Sequence, residues 1–165
     1  MRAGDGPALL EIERLAGVRF REVGLDSVAD DDPGSLDVLA GYAAAGRGWV
    51  AVDRDDTPVG YLVADLIGDA VHIEQVTVHP DHQGTGVGRA LIDRAAAFAR
   101  QQGLTALTLT TFDHVPWNRP LYEHLGFRVL RDDELGAVLR SVRAHEATLG
   151  LDPTVRVCMR RDLGE

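Results

Sequence analysis

A strand, a glycine-rich loop and a helix follow one another without interruption in the middle of the chain, and this order constrains the fold most. Residues 76–88 have the sequence VTVHPDHQGTGVG, with glycines at 84, 86 and 88. Glycine lets the backbone approach a ligand closely, and the first turn of a helix presents N–H groups without intrahelical partners. The helix dipole adds positive character at the same end. Because three alternating glycines exceed what a turn requires, the segment predicts a main-chain site for a pyrophosphate group rather than a plain turn.

Hydrophobic periodicity along the rest of the sequence predicts one mixed α/β domain over residues 1–165. Strands are expected at 49–53, 59–67, 71–78, 105–112, 127–130 and 155–160, and the first two should form a hairpin. Residues 26–34 are expected to form an acidic loop. Helices are expected to begin at Pro7, Ser35, Val87, Asn118 and either Asp132 or Asp133. The last helix should direct four side chains inward, namely Leu135, Leu139, Val142 and Leu149.

The balance of charged residues narrows the class of partner. Acidic residues outnumber basic residues by 26 to 17, which gives a formal net charge of −9. This excess argues against nucleic acid, which requires a basic surface, and mildly favours a cationic partner such as an amine. All 17 basic residues are arginine, so lysine Schiff-base chemistry and the lysine of a P-loop are excluded.

The same sequence predicts a soluble cytoplasmic protein without a metal. No apolar run approaches the roughly 20 residues that cross a bilayer, and residues 1–5 do not begin a secretory signal. The single cysteine, Cys158, excludes an internal disulfide and a multi-cysteine zinc site, and its expected role is a packed thiol. His79 and His82 lie three residues apart in a loop that lacks the ligand pattern of a metal site.

Two blocks of sequence occur in an order and spacing that resemble one known family. The first is Gln83-x-x-Gly86-x-Gly88, whereas a dinucleotide fingerprint would need glycine at the position of Arg89. The second is Asn118 and Tyr122, four residues apart and therefore on one helical face, followed by the sequence LGF at 125–127. Both blocks resemble the GNAT superfamily of acetyl-CoA-dependent N-acetyltransferases. The resemblance is strongest over residues 49–127.

The resemblance implies an α/β fold with a central, mostly antiparallel sheet, one parallel and splayed pair of strands, and flanking helices. The parallel pair would be the strands at 71–78 and 105–112. The first strand of the family is expected to be short or missing, because only six residues precede Pro7. The segment 131–153 is longer than the usual link between the last strands, and an added helix there could cover the acceptor cleft or form a dimer contact.

For the co-substrate, acetyl-CoA, the resemblance implies a specific set of contacts. Main-chain groups of Val76 and Val78 would bond the pantetheine amides in the manner of an added strand. Asn118 would contact the cofactor arm. The pyrophosphate would be held by Gln83, Gly84, Gly86, Val87, Gly88 and Arg89.

Acetyl transfer to an amine requires a base, because an amine is mostly protonated at neutral pH and attacks a thioester only after losing a proton. Glu74, on the same strand face as Val76, is the candidate base, although carboxylates on half-exposed strand faces are common. His72 and Asp65 are alternative bases. Tyr122 would protonate the departing thiolate, unless it is only a core tyrosine. A main-chain N–H near Val76 could polarise the thioester carbonyl.

The sequence therefore predicts an enzyme that moves an acetyl group from acetyl-CoA to a primary amine of a small molecule, amino acid or peptide, by direct transfer in a ternary complex. A non-catalytic CoA-binding regulatory module and a nucleotide-phosphate binder are the alternatives. The expected partners are the amine acceptor and a second copy in a homodimer, with no nucleic acid and no membrane. Four aromatic side chains could line an apolar acceptor cleft or belong to the core: Phe20, Trp49, Tyr61 and Trp117.

Overall fold

The glycine-rich loop lies between the third strand and the fourth helix of a mixed α/β fold. The computed structural model describes residues 1–2 and 4–164, so that Ala3 and Glu165 lie outside the described residues. The helices are α1 (Gly6–Gly17), α2 (Asp26–Ala29), α3 (Leu36–Ala44), α4 (Val87–Gln101), α5 (Arg119–His124) and α6 (Ala137–Thr148). The strands are β1 (Gly48–Val52), β2 (Pro58–Ile67), β3 (Ala70–Val78), β4 (Ala106–Phe112), β5 (Arg128–Val129) and β6 (Arg156–Asp162).

The strands form one mixed sheet in the order β1-β2-β3-β4-β6-β5, flanked by helices. β1 and β2 form the expected antiparallel hairpin, and β6 pairs antiparallel with both β4 and β5. β3 and β4 run parallel over four residue pairs, from Ala70–Ala106 to Ile73–Leu109, and both strands continue beyond the last pair. The predicted fold class, with its parallel pair in a mixed sheet, is confirmed.

Two compact units make up the chain, and the first comprises Met1–Ala64 and Gln75–Arg94. Its core is a cluster of buried side chains from α1, α3 and β2, namely Leu9, Ile12, Leu39, Tyr61 and Val63. Tyr61 is only 1% exposed and donates its hydroxyl to Glu13 Oε2 at 2.7 Å. Its phenol is therefore a satisfied core group. The interpretation of Tyr61 as a lining residue of an open acceptor cleft is wrong.

The second unit comprises Asp65–Glu74 and Ala95–Glu165. β4 pairs with β3 on one side and, along all of its residues, with β6 on the other. α6 and the segment before it pack against one face of this part of the sheet, where Leu139 contacts the cluster of Leu130, Leu135 and Cys158. Cys158 is 1% exposed, and burial raises the pKa of its thiol to about 11, as expected of a packed thiol.

Several local expectations need correction, because short-range hydrogen bonds override the sequence pattern. The acidic loop contains α2, a single turn closed by the N–H of Asp30 donating to Asp26 O at 2.8 Å. Asp132 and Asp133 begin only a 3₁₀ turn, since α6 starts after Gly136. Leu149 follows the last residue of α6 and is 64% exposed, so it does not point inward.

The observed strand boundaries differ only slightly from the expected ones. β5 has two residues instead of the four expected, because its ladder with β6 consists of two pairs. No strand precedes α1 in the described residues 1–2 and 4–5. Within the described part of the chain, no helix combines the length and the apolar character needed to cross a membrane.

Candidate active site

The loop before α4 has a backbone that only glycine adopts without strain. Gly84 and Gly86 have φ angles of +74° and +92°, in the region that side chains disfavour. A Cβ atom added at either position would meet nothing within 4 Å. The glycines are thus required by the backbone conformation and not by neighbouring side chains, and they leave open space beside the loop.

The N–H groups of this loop are available to a ligand. Over the described residues, no hydrogen bond is present for the backbone N–H groups of residues 84–89, and the next N–H, that of Ala90, donates to Gly86 O at 3.0 Å. The first turn of α4 contains no acidic residue but does contain the exposed Arg89. A positive side chain at a helix N-terminus opposes the dipole unless an anion is bound. This arrangement fits a pyrophosphate group.

Gln83 is exposed, and its hydrogen bonds support the loop. Its Nε2 donates to Val78 O at 3.1 Å, and its own N–H donates to Pro80 O at 3.2 Å. The Oε1 atom accepts from Arg19 at 3.5 Å. The side chain therefore ties the end of β3 to the loop, and the carbonyl of Val78 already has a partner. Val76 lies further back on β3 and is half-buried.

A glycine that sequence analysis overlooked brings β2 close to the residues before the loop. A Cβ atom on Gly60 would lie 2.9 Å from Thr77 O and 3.2 Å from Val87 Cγ1. Any residue other than glycine at position 60 would therefore displace the end of β3 and the first residue of α4. The only local signal was a glycine inside a strand, which often marks a close backbone approach.

The candidate base, Glu74, lies in the second unit, where its carboxyl group has an unusual environment. Its side chain is 36% exposed, yet burial, together with the negative charges of Asp65 and Glu146, raises its pKa to about 7. A carboxyl group with a pKa near the working pH exchanges protons readily. The geometry and charge around Glu74 thus suit a general base.

The alternative base, His72, is held in the sheet. It is 1% exposed, its Nδ1 lies 2.9 Å from Thr108 Oγ1, and its Nε2 lies 3.8 Å from Glu74 Oε1. Burial lowers the pKa of the imidazole to about 4, so the ring is neutral at pH 7 and a weak base. Between His72 and Glu74, Glu74 has the more suitable pKa for accepting a proton from an amine.

The second predicted block forms a short helix that presents Tyr122. Asn118 precedes α5 and accepts the N–H of Tyr122 through its main-chain oxygen at 3.1 Å, whereas its side chain makes no capping bond. The Tyr122 ring packs edge-on against Phe127, with 5.8 Å between ring centroids. Burial raises the pKa of the Tyr122 hydroxyl to about 12, so it remains protonated and able to donate at neutral pH.

The histidines near the loop show no metal-binding arrangement. The rings of His79 and His82 meet edge-on, with centroids 5.9 Å apart, and His79 Nδ1 accepts the N–H of Asp81 at 3.2 Å. Among the described residues, no group of three or more His, Cys, Asp or Glu side chains could hold a metal ion.

Comparison with known proteins identifies the family. The family model described as acetyltransferase (GNAT) family matches residues 11–127, which is more than half of the chain. The chain belongs to the GNAT acetyltransferase family. This GNAT protein is 36% identical over 110 residues to streptothricin acetyltransferase from Streptomyces lavendulae, a match that covers 64% of this chain and 54% of that protein.

A second curated relative of this GNAT protein is peptidyl-lysine N-acetyltransferase YjaB from Escherichia coli (strain K12). The two are 32% identical over 87 residues, and the match covers 53% of each chain. The chain spans about half the length of the curated relatives it matches. Among solved structures, PaiA N-acetyltransferase from Thermoplasma acidophilum in complex with coenzyme A has a TM-score of 0.72 at 13% identity, covering 98% of this chain and 95% of that one. This likeness shows the same fold.

Proposed function

We propose that this protein transfers an acetyl group from acetyl-CoA to a primary amine by direct attack in a ternary complex. The observation that carries the proposal is the row of N–H groups at residues 84–89, which lack partners in the described structure and precede α4. In this proposal residues 1–165 act as one N-acetyltransferase domain. The curated relatives named for streptothricin and for peptidyl-lysine acetylation support an amine as the acceptor.

The loop and the neighbouring strand bind acetyl-CoA in this proposal. The N–H groups of Gly84, Gly86, Val87 and Gly88 contact the pyrophosphate, Arg89 adds positive charge, and Gln83 holds the loop in place. Main-chain groups of Val76 and Val78 form hydrogen bonds with the pantetheine arm. The side chain of Asn118, which makes no capping hydrogen bond to α5, contacts the same arm. Acetyl-CoA supplies an activated acyl group, because its thioester has a good leaving group.

The acid–base residues complete the reaction. Glu74 accepts a proton from the ammonium form of the acceptor, directly or through water, and the resulting amine nitrogen bonds to the thioester carbonyl carbon. The carbon–sulfur bond then breaks, and Tyr122 donates its proton to the departing sulfur. The nitrogen of the adduct loses its second proton, which restores the Tyr122 hydroxyl directly or through water, and Glu74 releases its proton to solvent. The products are the acetamide and CoA. No covalent enzyme intermediate is required, and a main-chain N–H near Val76 stabilises charge on the carbonyl oxygen.

The direct test is to follow release of free thiol from acetyl-CoA with a panel of amines. The panel contains streptothricin, lysine-containing peptides, amino sugars, amino acids and simple amines. The chain has no lysine, so its own side chains offer no competing ε-amine. We expect thiol release above background with at least one class. Tight CoA binding without release across the panel would instead indicate a regulatory module, and stronger thermal stabilisation by ATP than by acetyl-CoA would indicate a nucleotide binder.

Replacement of Tyr122 by phenylalanine should lower kcat by about 100-fold and leave the affinity for acetyl-CoA nearly unchanged. The ring and its packing against Phe127 are kept, and only the proton donor is lost. Steady-state kinetics and calorimetric titration with CoA measure the two quantities. Tyr42→Phe, which removes a hydroxyl outside the proposed site, is the matched control. An unaltered kcat in Tyr122→Phe would remove Tyr122 from the mechanism.

A further inference from the structure

An ion pair that joins α6 to the sheet lies almost entirely out of solvent. Glu146 Oε1 accepts from Arg156 Nη2 at 2.9 Å and Oε2 accepts from Arg156 Nε at 3.2 Å, so the pair is bidentate. The side chains of Glu146 and Arg156 are only 16% and 10% exposed. The hydroxyl of Thr110 donates to Glu146 Oε1, and Arg156 Nη2 donates to Thr110 Oγ1 at 3.0 Å. The guanidinium carbon also lies 4.8 Å from the Phe112 ring centroid.

This ion pair lies on the face of the sheet that carries Glu74. The register pairs His72 with Thr108 and Phe112 with Arg156. Because side chains alternate along a strand, His72 and Glu74 share their face with Thr110 and Arg156. α6 packs on this face through Glu146. The segment 131–153 thus brings a fixed carboxylate, that of Glu146, to the face of the candidate base.

Two carboxylates on neighbouring elements act on Glu74, and a histidine lies beside it on its own strand. His72 lies on β3 itself, with its Nε2 3.8 Å from Glu74 Oε1, Asp65 lies on β2, and Glu146 lies on α6. The electrostatic effect of Asp65 and Glu146 favours the protonated form of Glu74. Arg156, the partner of Glu146, acts on Tyr122. Its positive charge lowers the pKa of the Tyr122 hydroxyl and so favours the ionised form. The ion pair therefore acts on both candidate acid–base groups.

We propose that Glu146 and Arg156 are positioning residues whose fixed charges set the pH range in which Glu74 accepts a proton. A bidentate pair with a hydroxyl bonded to it holds its charges at constant places, so the negative charge of Glu146 acts on Glu74 with a constant sign and the adjacent positive charge of Arg156 partly offsets it. A buried ion pair adds little net stability compared with apolar residues of similar size. Its electrostatic effect on a neighbouring base is a role that apolar residues could not fill.

The test compares neutral substitutions at each end of the pair, and its kinetic part depends on the proposed function. In the pH profile of kcat/KM, the wild-type activity is expected to fall on the acidic side with a midpoint near pH 7, the pKa of Glu74, and this fall is called the acidic limb. In Glu146→Gln, loss of the anion leaves Arg156 unneutralised, so the limb should move to lower pH by about 0.5 to 1 unit. In Arg156→Gln, Glu146 is left unneutralised and the limb should move to higher pH by a similar amount.

Two further variants separate charge from packing. The double variant Glu146→Gln with Arg156→Gln removes both charges, so its limb should return close to the wild-type position. Thr110→Val removes a hydroxyl but no charge and should leave the limb in place. If Arg156→Gln fails to fold, Arg156→Lys keeps the charge and should keep the limb, whereas Glu146→Gln still tests the anion. A common shift of the same sign in both single variants would overturn the proposal.

A titration of the Glu74 carboxyl carbon by NMR in the free protein gives a second readout that needs no turnover. Opposite shifts of the Glu74 pKa in the two single variants would support the charge assignment even if no amine is acetylated. Unchanged titration in both variants would overturn the assignment even in an active enzyme. Failure of this inference is thus distinguishable from failure of the proposed function.

Discussion

Gly86→Glu should lower the affinity for CoA by at least about 100-fold. The new side chain would enter the open space beside the loop, where a Cβ atom meets nothing within 4 Å, and its negative charge would repel the pyrophosphate. The new carboxylate would also compete with the pyrophosphate for the N–H groups at the start of α4. Calorimetric titration with CoA measures the loss, and circular dichroism shows whether the fold is kept.

The matched control for this substitution is Gly103→Glu, just after the other end of α4. Gly103 also has a positive φ, +71°, and a Cβ atom there also meets nothing within 4 Å. The control therefore carries the same added charge and a similar backbone strain, but it should bind CoA with nearly wild-type affinity. Equal affinities in the two variants would show that the loop at 83–89 does not bind the pyrophosphate.

Glu74→Gln should reduce kcat by about 100-fold or more and at the same time stabilise the fold above pH 7. The pKa of Glu74 is raised from 4.5 to about 7, so the folded protein binds this proton more tightly than the unfolded chain does. Glu74 therefore does not change the free energy of unfolding below about pH 4.5. It lowers that free energy progressively between pH 4.5 and pH 7, and the loss stays constant above pH 7. A neutral glutamine avoids this loss, which is about 1 kcal/mol after allowance for the 36% exposure of the side chain.

Thermal melts at pH 5 and pH 8 test the predicted change in stability, and steady-state kinetics test the predicted loss of kcat. The gain in Tm of Glu74→Gln over wild type should be larger at pH 8. Asp65→Asn is the matched control, because Asp65 is the neighbouring carboxylate and an alternative base. If Asp65→Asn abolishes turnover while Glu74→Gln retains it, the base has been assigned to the wrong carboxyl group.

Sequence analysis located the elements whose determinants are local. The glycine loop is specified by residues that allow positive φ angles, and Gly84 and Gly86 both adopt them. The start of α3 follows from Ser35, whose Oγ accepts the N–H of Val38 at 3.2 Å. The helix expected to begin at Val87 is also specified locally, since apolar residues at helical spacing, among them the buried Leu91, Ile92 and Ala95, form one of its faces. These signals lie within a few residues of the structure they determine.

The remaining features depend on residues that are distant in the chain. Glu146 meets Arg156 and Thr110 only because β4 and β6 pair and α6 folds over them, and a glutamate beside a histidine carries no local sign of that role. The core position of Tyr61 depends on Glu13 of α1, 48 residues away. Periodicity places such residues on a face but does not identify the partner across that face.

The order of strands also has a consequence for folding. β6 comes last among the strands along the chain, yet it lies between β4 and β5 in the sheet. β4 has the sequence ALTLTTF, without a charged residue, and one of its edges stays unpaired until residues 156–162 have been synthesised. Uncharged β-branched edges pair readily with other chains. Nascent or refolding molecules are thus most prone to aggregate before β6 inserts, and refolding yield should fall as protein concentration rises.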